Sequence, residues 1–311
     1  MRPSLTRRHL LTCAAAALAL PAAAQTDPKP PPIPELLARI ERQRLFDTVT
    51  GLAAFPTRWT PGPDFPAVEA WVHEAFNRSG GGARIFTQGY AHREAGARHN
   101  IVSGDPMDPR GVVLVGAHVD SMSEMPATYA PGANDNATGV AAMIEACRVL
   151  SRVPLRKGLV FVAFSGEEQD LQGSTACAQI ARRQGWPIEL MINLDMLGHH
   201  PARPDAPLYL EYDQGNAVAA NDAPARRYGL MAARLAAAFT TLRTEHTDIW
   251  DSDYMPFEAQ GYPCIGFYDG GAEAPEYHST SDVPEAVDLD RLEQATRLLV
   301  ATLAAVAGLG G

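Results

Sequence analysis

From about residue 36 to residue 306, short apolar runs alternate with stretches in which apolar residues recur at helical spacing. Residues 36–52 follow the helical period, and residues 65–79 repeat it with Val68, Trp71, Val72 and Phe76 on one face. A β-rich stretch comes next, at residues 83–90, 100–102 and the apolar run 112–117. Further buried strands are expected at 159–164, 191–194 and 264–268. Between and after them the pattern predicts helices beginning near Thr138 and covering 173–184, 228–242 and 289–306. Strands with no polar face, separated by helices, imply a sheet covered on both sides. The expected fold is therefore α/β: a three-layer α/β/α sandwich around a mixed, mostly parallel sheet. No repeat and no linker divides residues 35–311, which are read as one domain. In such folds ligands sit outside the carboxyl ends of the strands.

The first 24 residues have a different character. Arg7-Arg8 precedes an Ala-rich apolar stretch from Leu10 to Leu20, and Ala22-Ala23-Ala24 follows as a small-residue cleavage site. This is the pattern of a bacterial export signal. Thr6-Arg7-Arg8-His9-Leu10-Leu11 resembles the twin-arginine type, with plain Sec export as the competing route. The apolar stretch is short for a membrane anchor, so the mature protein is expected in the periplasm or medium, away from the membrane. Residues 25–34 carry Pro28, Pro30, Pro31, Pro32 and Pro34 and read as an extended leader.

The net charge of −10 argues against nucleic acid as a partner, because nothing here could neutralise a row of phosphates. Cys13 lies in the signal, leaving Cys147, Cys177 and Cys264, an odd number that reads best as three buried thiols.

The candidate chemistry lies at the ends of the apolar runs. His118-Val119-Asp120 follows the run at 112–117, Glu167-Glu168 follows that at 159–164, and Asp195 ends Asn193-Leu194-Asp195. Asp135 sits in the loop Pro131-Gly132-Ala133-Asn134-Asp135-Asn136, and His278 follows Tyr277. Taken singly, each has an ordinary structural explanation: a hydrogen-bonded histidine, a helix cap, a solvated acidic pair. Two His and three carboxylates with one further Glu are enough for two divalent metals and a general base. His118 is read as a ligand, with Asp120 accepting its other ring N–H. The two oxygens of Asp135 suit it to bridge two metals. Glu167 and Glu168 cannot point the same way, which suits one to bind metal and the other to hold a proton. Two unpaired charges at a buried strand end would be costly, and metal offsets that cost.

Taken together, these motifs resemble the secreted bacterial di-zinc aminopeptidases, in a superfamily that also holds glutamate carboxypeptidases and glutaminyl cyclases. The resemblance runs from about Val49 to Ala307. It includes Thr57-Arg58-Trp59-Thr60, Asn100-Ile101-Val102, Gly116-Ala117-His118-Val119-Asp120-Ser121, Gly132 to Gly139, Phe164-Ser165-Gly166-Glu167-Glu168-Gln169, Asn193-Leu194-Asp195-Met196, Ser252-Asp253 and Tyr277-His278. It implies that His118 and Asp195 hold one zinc, Glu168 and His278 hold the other, and Asp135 bridges them. It also implies that Glu167 is the general base and that the Asp135–Asn136 peptide bond is cis. The implied activity is removal of N-terminal residues from peptides.

Tyr254 and Phe257 are read as lining an apolar first pocket, and Tyr268 or Tyr254 as an oxyanion partner. A glutaminyl cyclase is the nearest rival: Met196-Leu197-Gly198 after Asp195 favours it, whereas Ser165-Gly166 before the Glu pair and Tyr277 before His278 do not. A carboxypeptidase would want a basic cluster for the substrate carboxylate, and the site loops are poor in Arg and Lys. A non-catalytic binding module would lack a ligand or the base, and neither is missing.

Overall fold

The computed structural model describes residues 31–80, 84–199, 206–269 and 274–309. The segment read as an export signal, with Cys13, and residues 25–30 of the Pro-rich stretch lie outside them. The rest of that stretch runs into a short helix, α1 (Ile33–Leu37), which carries a proline in its first turn, where a missing N–H loses no bond.

Eight strands form one sheet among the described residues: β1 (Ile85–His92), β2 (Gly96–Ser103), β3 (Val112–His118), β4 (Gly158–Phe164), β5 (Ile188–Asp195), β6 (Leu208–Tyr212), β7 (Thr244–Thr247) and β8 (Cys264–Tyr268). Their order is β1-β2-β4-β3-β5-β8-β6-β7. The central strands β4, β3, β5 and β8 run parallel, while β2 joins β4 and β6 joins β8 antiparallel. The other α-helices among the described residues are α2 (Arg42–Ala53), α3 (Phe65–Arg78), α4 (Gly139–Leu150), α5 (Gln172–Gln184), α6 (Asp222–Phe239), α7 (Met255–Ala259) and α8 (Leu289–Val306).

The central strands are buried on both faces, and their side chains divide between two cores. Val113, Val115 and Ala117 of β3 pack on one side with residues of α2, α3, α4, α6 and α8. Val112 and Leu114 pack on the other side with residues of α5 and α7. The same alternation runs along β4 and β5, as a pleated strand requires. Gly116 faces the second side, where an added Cβ would lie 2.2 Å from the Phe164 ring. The result is the mixed three-layer α/β arrangement expected from the sequence.

Some elements differ from the expectation. The helical stretch 36–52 is broken after Leu37, and the N–H of Glu41 at the break donates to Glu145 Oε1 of α4 at 2.7 Å. The break turns both Leu36–Leu37 and the Leu45, Val49, Leu52 stripe of α2 into the core. Strands β6 and β7 and helix α7 were not expected. β7 is four partly exposed or exposed residues at the sheet edge, with no apolar face to betray it. Cys147, Cys177 and Cys264 are buried free thiols. Among the described residues, no helix is long and apolar enough to cross a membrane.

Candidate metal centre

The helices that follow β3 and β4, α4 and α5, lie on opposite faces of the sheet. The chain thus reverses direction across β3 and β5, opening a crevice at their carboxyl ends. His118 is the last residue of β3 and Asp195 the last of β5. Glu167 and Glu168 follow β4, Asp135 lies at the kink of a helical turn, Ala133–Thr138, that leads into α4, and His278 lies between β8 and α8. The Asp135–Asn136 peptide bond is cis, as the resemblance implied. Met196 and His278 both have positive φ, 48° and 49°, an uncommon backbone state for a residue with a side chain. At Met196 it turns the chain away directly after Asp195.

These six side chains converge. His118 Nε2 lies 3.2 Å from Asp135 Oδ1 and 3.5 Å from Asp195 Oδ1. His278 Nε2 lies 3.3 Å from Asp135 Oδ2 and 3.0 Å from Glu168 Oε2. Zinc–ligand distances of ~2.0–2.1 Å place tetrahedral ligands about 3.3–3.4 Å apart. The spacing therefore fits donor atoms around a small divalent cation, with each oxygen of Asp135 facing a different imidazole. Donor atoms of His118, Asp135 and Glu168 lie within 4.8 Å of one another, and so do those of His118, Glu167 and Asp195. Glu168 Oε1 is buried with no hydrogen-bond partner, which also suits a cation ligand.

The electrostatics agree. Burial opposes protonation of His118, yet Glu167, Asp135 and Asp195 hold its pKa well above the usual range. His278 is likewise raised to about 10 against the effect of burial, by Asp135 and Glu168. Burial pushes the Glu168 carboxyl up to about 7, with Asp135 adding to it. Burial also drives Glu167 well above its usual value; His118 opposes this, while Glu168, Asp253 and Asp195 reinforce it. Negative charge thus exceeds what the two imidazoles can balance, a deficit that a bound divalent ion supplies.

A surrounding set of hydrogen bonds holds the donors in place. Asn193 donates to Ser252 Oγ at 2.8 Å, and Ser252 donates to Asp195 Oδ2 at 2.8 Å. Asp282 accepts from the backbone N–H groups of Asn134 at 2.7 Å and Asp135 at 2.9 Å. Buried Arg58 donates to the carbonyls of Val119, Leu52, Pro131 and Gly132, tying together the two loops that carry Asp120 and Asp135. Sequence reading had included Arg58 and Ser252 only as parts of a resemblance and had missed Asp282, whose partners lie 147 and 148 residues away. Replacing Ser252 with alanine removes the bond that orients Asp195. We expect zinc affinity to fall about 10- to 100-fold, measured by competition with a chromophoric chelator; an unchanged affinity would mean that Ser252 does not orient Asp195.

Three sequence expectations need adjustment. The partner nearest His118 Nδ1 is the Asp120 backbone oxygen at 3.3 Å, with Asp120 Oδ1 at 3.8 Å. The Asp120 carboxylate is instead engaged by the N–H groups of Glu167 and Glu168, each at 3.2 Å. Either way Asp120 faces Nδ1, leaving Nε2 of His118 to the metal side. Phe257 does not line the cleft: it is fully buried, packed between Phe164 and Tyr262. Tyr254 and Tyr268 do line it, together with Trp250, Tyr277 and Glu211, but the Tyr254 hydroxyl is already committed to Glu211 and the Trp250 carbonyl.

Comparison with known proteins gives the cluster a setting. Residues 100–303 match the model of peptidase family M28. Aminopeptidase YwaD of Bacillus subtilis (strain 168) is 32% identical over 200 residues, 62% of this chain and 40% of its own length. A probable zinc metalloprotease of Pyrenophora teres f. teres is 32% identical over 193 residues, 54% of this chain and 41% of its own. The chain thus spans less than half the length of these two relatives. A probable leucine aminopeptidase 1 of Trichophyton verrucosum is 26% identical over 278 residues, 85% of this chain and 74% of its own. Among solved structures, the LapA aminopeptidase of Legionella pneumophila superposes with a TM-score of 0.74 at 19% identity, over 88% of this chain and 74% of its own. A Bacteroides thetaiotaomicron glutaminyl cyclase does so with a TM-score of 0.70 at 18% identity, over 85% of this chain and 97% of its own. At such identities the two structures speak for the fold. The family match extends from β2 into α8 and takes in the whole acidic and histidine cluster: the chain belongs to peptidase family M28.

Proposed function

We propose that this chain is an exported zinc-dependent exopeptidase that removes residues from the free N-termini of peptides. The observation that carries the reading is the convergence of His118, His278, Asp135, Asp195 and Glu168 at tetrahedral-edge spacing, with Glu167 beside them. In this reading His118 and Asp195 would hold one Zn²⁺, His278 and Glu168 would hold a second, and the Asp135 carboxylate, which faces both imidazoles, would serve both. Bound zinc supplies a readily ionised water at neutral pH and polarises a carbonyl. Glu167 accepts the proton of the attacking water on its carboxylate and delivers it to the leaving nitrogen. Asp120 keeps His118 in the tautomer with Nε2 free, through its contact with Nδ1. The excess of carboxylates around the cleft favours a substrate that brings an ammonium group. Export rests on the sequence of residues 1–24, and no nucleic-acid partner is expected for so acidic a chain.

The test is mass spectrometry of two peptides, one beginning with Leu and one with Gln, after incubation with the zinc-loaded mature protein. Stepwise loss of N-terminal residues, abolished by a chelator and restored by zinc, is the expected result. Loss of ammonia from the Gln peptide alone would make the protein a glutaminyl cyclase. No change in either peptide would overturn both activities.

A further inference from the structure

Glu211 has no place in the chemistry above, yet it lines the same cleft as His118, Asp135, Asp195 and His278. The sheet register puts it there. Asp195 pairs with Tyr268, which pairs with Tyr209; one step down the strands, Asn193 pairs with Gly266, which pairs with Glu211. All six therefore project from one face, since paired residues and those two apart share a side. A strand spacing of about 4.8 Å and a rise of about 3.3 Å per residue separate the Cα atoms of Asp195 and Glu211 by on the order of 12 Å.

The sequence makes room for this carboxyl. An added Cβ at Gly266 would fall 2.4 Å from Glu211 Oε2 and 2.7 Å from the Tyr254 ring. Oε2 accepts the Tyr254 hydroxyl at 2.9 Å, whereas Oε1 is buried with no hydrogen-bond partner. The residue is 2% exposed. Burial raises its carboxyl to about 8; the Tyr254 bond opposes this, and the other charges acting on it, Asp195 and Asp248, are negative. In the same cleft Trp250 is 60% exposed and Tyr277 38% exposed, two aromatic surfaces that can flank an aliphatic stem or a cation. A buried carboxyl with one unpaired oxygen is costly unless something pairs with it. A carboxyl needed only to anchor Tyr254 would not have to face the cleft.

We propose that Glu211 is a specificity-determining residue that selects peptides whose first side chain is cationic, Lys or Arg, by receiving the ammonium or guanidinium group on Oε1. The inference rests on the N-terminal exopeptidase reading. The aliphatic stem of the substrate lies along the cleft between Trp250 and Tyr277, and its charged end meets Glu211 in a charge-assisted hydrogen bond.

The experiment compares kcat/KM for two p-nitroanilides, of lysine and of norleucine, which share an unbranched four-carbon stem and differ in the terminal ammonium. The zinc-loaded parent protein is expected to favour lysine by about 10- to 100-fold, and Glu211→Gln to lower that ratio at least about tenfold. Glutamine keeps an acceptor for the Tyr254 hydroxyl, and circular dichroism checks the fold. A parent that cleaves norleucine as well as lysine would overturn the inference and leave the exopeptidase reading standing. So would a variant that loses both substrates in equal proportion. If the variant fails to fold, the parent ratio alone decides. Turnover of neither substrate, nor of the Leu peptide, would remove the exopeptidase reading and this inference with it.

Discussion

Asp135→Ala is expected to leave the purified protein without its complement of zinc, and with no measurable peptidase activity. Each oxygen of Asp135 faces a different imidazole, His118 at 3.2 Å and His278 at 3.3 Å. Removing the carboxylate therefore takes a donor from both halves of the site at once, unlike any other single substitution in the cluster. The backbone of residue 135 would still be held by Asp282, so the loop is not expected to collapse. Elemental analysis by plasma mass spectrometry gives the zinc count directly. Retention of two equivalents would overturn the bridging role while leaving the rest of the site intact.

Glu167→Gln is expected to separate chemistry from metal binding. The substitution preserves shape and removes the ability to take up a proton. Proton transfer by a positioned side chain contributes about 10²–10⁴-fold to rate, so kcat should fall by that factor or more while zinc content stays at the parent level. Glu167 is surrounded by Glu168, Asp253 and Asp195, which reinforce the effect of burial in raising its pKa. A neutral replacement relieves that repulsion and gives no reason for metal loss. A variant that turns over peptide at the parent rate would show that Glu167 is not the base. Loss of zinc together with activity would instead make Glu167 a ligand, beside His118 and Asp195.

The sequence made the central sheet legible for a physical reason. β3, β4, β5 and β8 are buried on both faces, so their residues form apolar runs, interrupted in β5 only by Glu189 and Asn193. The charged residue that ends each run then stands out, and His118, Glu167, Glu168 and Asp195 could be found without any structure. Periphery and support were harder to see. β6 alternates Leu208, Leu210 and Tyr212 on the core side with Tyr209 and Glu211 on the cleft side, over only five residues. Its one acidic residue looks like an ordinary surface glutamate until Gly266 and Tyr254 are placed beside it. Asp282 and Ser252 act through bonds to residues far away in the chain, and no local spacing marks such pairs. Phe257 was misplaced because a five-residue helix has too few turns to reveal which side faces inward.

Arg58 grips main-chain oxygens at Leu52, Val119, Pro131 and Gly132 and no side-chain carboxylate. Every residue offers a carbonyl, so this clasp constrains the path of the two loops and says little about which residues occupy them. What the guanidinium holds is the course of the main chain, including the turn at Gly132 with φ 53°, while the side chains there are fixed by contacts of their own, such as Ser121 on the Ala130 carbonyl and Thr138 on the Asn134 carbonyl. One buried arginine, itself no ligand, thus sets how far apart the two stretches of main chain that carry Asp120 and Asp135 can lie.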